Sequence, residues 1–156
     1  MIRLGVNGWS RGWGGWDDAW KPMELEEITM TACAVEAMED VDTFLVALAD
    51  DPERQEQVLE LQRALPGSEL DEQDKGSDMD TYCLIWNAAV VHYGDVSSCV
   101  LRDGFLTLQF LPRGAEAFGV EGFRLRLELD GAEWAKLREG LAVIFSEREP
   151  QQFLLE

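Results

Sequence analysis

Histidine occurs once in the 156 residues, at His92, and the three cysteines, Cys33, Cys83 and Cys99, show no CxxC spacing. No zinc site of ordinary ligand count can be written from that set. Each cysteine lies in an apolar stretch, where a free thiol behaves as a small hydrophobe. An odd number of them fits a reducing compartment better than a disulfide framework. Basic residues are also scarce: 13 Lys and Arg stand against 31 Asp and Glu, for a net charge of −18. Such a deficit repels phosphate backbones and anionic membranes, so neither nucleic acid nor a membrane surface is an expected partner. No apolar run approaches the roughly 20 residues of a membrane span. The start lacks the basic opening and continuous apolar stretch of a secretory signal. The expectation is a soluble cytoplasmic protein.

What is present is a core-forming composition. Hydrophobic residues make up 46% of the chain, with six Trp and seven Phe, more apolar content than a disordered acidic chain carries. The length suits one domain, expected over 23–156. Residues 1–22 differ from the rest. They hold four of the six Trp and three basic residues against two acidic, which leaves −19 for the remainder. Trp9, Trp13, Trp16 and Trp20 would share one helical stripe. Gly12, Gly14 and Gly15 interrupt it, at about 1 kcal/mol each. Three readings stand: an over-extended start ahead of Met23 or Met30, which is favoured, a flap packed on the domain, or a binding element. The GWGG at 12–15 opens no helix after a strand, so it is no phosphate loop.

Beyond the extension, strand patterns dominate. Residues 28–38 and 41–49 read as strands joined by a tight turn at Glu39-Asp40, the second apolar on both faces as in a central strand. Residues 56–65 suit helix or strand equally, and 66–80 reads as a polar loop. Strands follow at 81–86, 89–101 and 105–111, the last two joined by a hairpin at Arg102-Asp103-Gly104. Pro112 opens a short helix that Gly119 ends, and 123–129 alternates as a strand. Asp130 and Glu133 form a capping box for a helix whose stripe is Trp134, Leu137, Leu141, Ile144 and Phe145. The expected fold is α+β: one antiparallel sheet of six or seven strands with a C-terminal helix across one face.

Candidate chemistry is thin. Asp71 to Gly76 superficially resembles the start of a calcium loop. Lys75 stands at the fifth position, however, and Tyr82 at the twelfth, where a Glu is required, so an EF-hand is excluded. His92 with Cys83, Cys99, Ser97 or Ser98 could form a nucleophile–base pair, but no spacing selects one. The bland alternative is a half-buried His at a strand end. Asp78 and Asp80 point the same way in an extended chain and could hold a partner's Arg or Lys, or simply line a solvated loop.

Several of these pieces are found together in one family. VDTFLVALAD at 41–50, LELQRAL at 59–65, DEQD at 71–74, MDTYCL at 79–84, HYG at 92–94 and LRLELDGAEWAKLREGL at 125–141 resemble the immunity protein 10 family of bacterial polymorphic-toxin systems. The resemblance runs from Cys33 through Val143. It implies an α+β fold, a cognate toxin domain as partner, no cofactor and no enzymatic activity. On the matching positions it points to Asp71, Glu72, Asp74, Asp80, Tyr82, His92 and Tyr93, to which Asp78 is added as a candidate toxin contact. The charge agrees: an acidic surface captures a basic toxin quickly. A small-molecule-binding domain, with ligand between sheet and helix, and a minor enzyme using His92 are the alternatives. An exposed edge strand or the Trp-rich segment could support a homodimer.

Overall fold

A computed structural model describes residues 25–76 and 82–156. The Trp-rich segment 1–22, with its stripe, lies outside them. The described residues form ten strands in two five-stranded sheets, together with three α-helices. The class is α+β, as expected, but with two sheets in place of one.

The strands of sheet I are β1 (Glu26–Met30), β7 (Val96–Arg102), β8 (Phe105–Phe110), β9 (Gly122–Leu127) and β10 (Gln152–Leu155), in the order β10-β7-β8-β9-β1. Sheet II is a simple meander, β2 (Ala32–Met38), β3 (Thr43–Ala49), β4 (Val58–Ala64), β5 (Tyr82–Trp86) and β6 (Val90–Tyr93). Sheet II is antiparallel throughout. In sheet I, β1 runs parallel to β9 and β10 parallel to β7.

The stretch expected as one strand over 28–38 is divided at Thr31. Ile28 and Met30 are buried in sheet I, whereas Cys33 and Val35 pack inward from sheet II. The inward residues thus change parity at the joint, because a chain that passes from one sheet to the other around a shared core must reverse which of its alternating faces looks inward. Thr31 secures the slip, its N–H donating to Ala49 O and its Oγ1 to Asp50 O, both at 2.9 Å. A second crossing occurs at Gly94-Asp95, both at positive φ, which breaks the stretch expected over 89–101 into β6 and β7.

Residues 58–64 resolve as strand, with Leu59, Leu61 and Arg63 pointing inward. The polar stretch 66–80 is not all loop: α1 spans Glu69–Gly76. Its start is marked by Ser68, whose Oγ accepts the Asp71 N–H at 3.1 Å. The Asp103-Gly104 turn joins β7 and β8 with φ of 54° and 82°, as a tight hairpin requires. Helix α2 (Pro112–Phe118) ends at Gly119 with φ 76°. Helix α3 (Gly131–Ile144) begins with the expected capping box: Asp130 accepts from Glu133 N, and Glu133 accepts from Asp130 N.

Helix α3 lies across β2, β3 and β4. Gly140 permits the approach, since a Cβ there would sit 2.8 Å from Val46 Cγ2 and 3.1 Å from Val35 Cγ1. Between the sheets, Trp86 meets Phe123 at 4.7 Å, and Phe123, Phe110 and Phe118 form one aromatic group. At the end of α3, Phe145 packs edge-on against Tyr82 and Phe153.

Candidate functional site

Strand β4 carries Arg63 on its inward face, where an unpaired charge would be costly. Its Nη2 donates to Asp71 Oδ1 at 2.9 Å, and both side chains are 1% exposed. The Nη1 donates to Ser146 Oγ at 2.8 Å and Val143 O at 3.3 Å, and Nε to Ala64 O at 2.7 Å. The cation thus also meets the carbonyl end of α3, where positive charge is favoured. Asp71 Oδ2 accepts the Gly67 N–H. Asp71, a candidate toxin contact from the sequence, therefore joins α1, β4 and α3. Its neighbour Glu72 is exposed. Asp74 lies in α1, with its side chain outside what is described, and Asp78 and Asp80 lie outside the described residues altogether.

The other three sequence candidates separate across sheet II. Tyr82 is buried, and its hydroxyl accepts the Val96 N–H at 3.2 Å, tying β5 to β7. His92 also faces inward, opposite Leu84; its Nε2 lies 2.7 Å from Asp95 Oδ2 and its ring 6.2 Å from that of Phe118. Tyr93, next along the strand, points to the other side and is 56% exposed. Alternation along β6 thus splits the HYG motif between core and surface.

The thiols are poorly placed for nucleophilic attack. Cys83 stands beside Tyr93 in the ladder, on the face opposite His92. Its pKa is raised, first by burial and then by the nearby Glu60. Burial pushes Cys99 up to about 12, and burial with the Glu133 charge pushes Cys33 up to about 11. An attacking thiolate requires the opposite shift. Among the described residues no three His, Cys, Asp or Glu side chains gather as a metal site, and no helix is long and apolar enough to cross a membrane.

A feature that sequence reasoning passed over is the outer face of sheet II. The register aligns Glu36, Leu45, Gln62, Cys83 and Tyr93 in one row across all five strands, and Ala34, Ala47, Glu60, Ile85 and Val91 in the next. The signal was β3 itself, apolar on both faces: Phe44, Val46 and Leu48 enter the core, while Leu45 and Ala47 look outward. Gln62 Nε2 donates to Glu60 Oε1 at 2.9 Å. The outer face of sheet I differs. There Arg124 lies 3.9 Å and Arg126 5.0 Å above the Phe105 ring, and Arg126 approaches Glu27 at 3.8 Å.

An open hollow of about 250 Å³ lies between α3 and sheet II, lined by Val35, Phe44, Gly140 and Val143, with Lys136 and Glu139 also on its wall. It is smaller than the usual ligand pocket.

Residues 29–135 fit the family model described as immunity protein 10. No curated protein matches the chain.

Proposed function

Because the chain belongs to the immunity protein 10 family, we propose that it binds a cognate toxin domain and neutralises it by protein–protein contact, without cofactor or catalysis. The observation that carries this reading beyond the family is the charge. A chain of −18 with exposed carboxylates is suited to fast capture of a basic partner. The proposed partner is a basic toxin domain made by the same cell or its siblings and met in the cytoplasm.

Of the sequence candidates, Glu72 and Tyr93 are the exposed pair, and they are the proposed contacts among the described residues. Asp71, Tyr82 and His92 support them by fixing α1, β5 and β6 in place. Asp74, Asp78 and Asp80 complete the acidic segment between β4 and β5 and are proposed to add charge beside it.

The test is co-expression with the toxin domain encoded in the adjacent reading frame. The protein is expected to protect the cells and to co-purify with that domain in a complex weakened by salt. Cells that die at the same rate with and without it would overturn the assignment.

A further inference from the structure

We propose that the outer face of sheet II is the docking surface for a basic, partly apolar patch of the toxin domain; this rests on the toxin-binding reading above and assigns it a place. An antiparallel sheet that turns one face to water ordinarily carries polar residues there. Sheet II instead presents Leu45, Ile85, Val91 and Tyr93 among alanines, with Val91 51% and Tyr93 56% exposed. Helices α1, α2 and α3 meet sheet II at inward residues: Arg63 for α1, His92 for α2, Val35 and Val46 for α3. On the outer side exposure is greatest at the two edge strands, at Ala34, Glu36, Val91 and Tyr93, while Cys83 between them is buried.

The charge on that face has one sign. Glu36 and Glu60 stand in adjacent rows, and no lysine or arginine occupies any outward position of the five strands. Neither carboxylate has an ion-pair partner among the described residues. The hydrogen bond from Gln62 holds the Glu60 carboxylate in a set orientation, ready for a guanidinium or ammonium group. The outer face of sheet I shows the contrast, since its aromatic, Phe105, is already covered by Arg124 and Arg126 of the same chain. Tyr93 has no such cover from a described cation, and tyrosine is among the residues enriched at binding hot spots.

The dimensions fit. Five strands about 4.8 Å apart, several residues long at about 3.4 Å each, give a face of roughly 400 Å². That is about half of the ~800 Å² each partner contributes to a standard interface. A second copy of this chain is a poor occupant, because a two-fold pairing would set the carboxylates of two −18 molecules against each other.

The experiment uses the full-length protein and the toxin domain from the adjacent reading frame, with affinity measured by titration calorimetry. Wild-type binding is established first; its failure would strike the toxin reading itself. Val91→Lys and Tyr93→Ala alter exposed side chains, and each is expected to weaken binding roughly 30-fold, the size of a hot-spot loss. The control, Thr29→Lys on the outer face of sheet I, is expected to bind as wild type. Wild-type affinity in both face variants would overturn the docking surface while leaving toxin binding intact. Should either variant fail to fold, a photo-crosslinking residue at position 91 of the otherwise unaltered chain gives a second reading by mass spectrometry. A linked toxin peptide is the expected product. A peptide from a second copy, or from residues 1–24, would overturn the assignment.

Discussion

Arg63 and Asp71 form a buried ion pair, Nη2 to Oδ1 at 2.9 Å, that clasps an acidic helix to the strand before it. Among the carboxylates of the family-like DEQD motif, Asp71 is thus spent inside the molecule. Asp71→Ala would leave a buried guanidinium uncompensated and is expected to cost about 3–5 kcal/mol. Urea unfolding checks this. The double variant Arg63→Met with Asp71→Leu removes both charges and is expected to cost less than the sum of the two single changes.

Gly122 gives a sharper packing prediction. A Cβ there would fall on the carbonyl oxygen of Leu108 and lie 2.7 Å from Leu25 Cδ2. Backbone cannot yield as a flexible side-chain tip can. Gly122→Ala is expected to destabilise by about 3 kcal/mol, the upper end of the overpacking range, and to perturb the β8–β9 pairing. A urea midpoint equal to wild type would contradict the placement.

The capping box is worth less but is cleanly measurable. Asp130→Ala removes the acceptor for Glu133 N–H at the start of α3 and is expected to cost about 1 kcal/mol. Asp130→Asn, which retains an acceptor, is expected to recover most of it. Thermal unfolding of the two variants side by side decides the point.

Alkaline pH is expected to loosen the fold. Cys99 and Cys33 keep their protons up to about 12 and about 11, against an ordinary value of 9.0, chiefly because burial disfavours the thiolate. The unfolded chain loses those protons sooner. The stability tied to the neutral thiols is therefore complete below pH 9.0 and is lost as pH rises toward 11 and 12. Urea midpoints across that window should fall, and Cys99→Ala should fall less steeply from a lower starting value.

These features differ in how plainly the chain announces them. The hairpin at Asp103-Gly104, the Pro112-to-Gly119 helix, the alternation of Phe123, Leu125 and Leu127, and the Asp130/Glu133 box are local signals, and each appears where the spacing predicts it. Strand partners are not local. Nothing in residues 26–30 announces a parallel neighbour at 123–127, nor in 152–155 one at 98–101. Two clues were nonetheless present. The parity slip between Met30 and Cys33 marks the change of sheet, and Ser68 three residues before Asp71 marks the start of α1. The candidate site suffered in the same way: His92 and Tyr93 are adjacent in one motif, and Tyr82 stands ten residues before them in another, yet the pleat sends Tyr82 and His92 inward and Tyr93 outward.

The joint at Thr31 also sets an order of assembly. Every strand of sheet II pairs with its neighbour in sequence, all between residues 32 and 93. Sheet I instead needs Ile28 beside Leu125 and Cys99 beside Phe153, contacts that close long loops. Local pairings form sooner than distant ones. On a ribosome, the meander is complete in sequence before β9 and β10 have been made, so β1 waits at its joint for a partner nearly a hundred residues downstream. Partial molecules that stop short of β9 would leave β1 unpaired and expose a strand edge to aggregation.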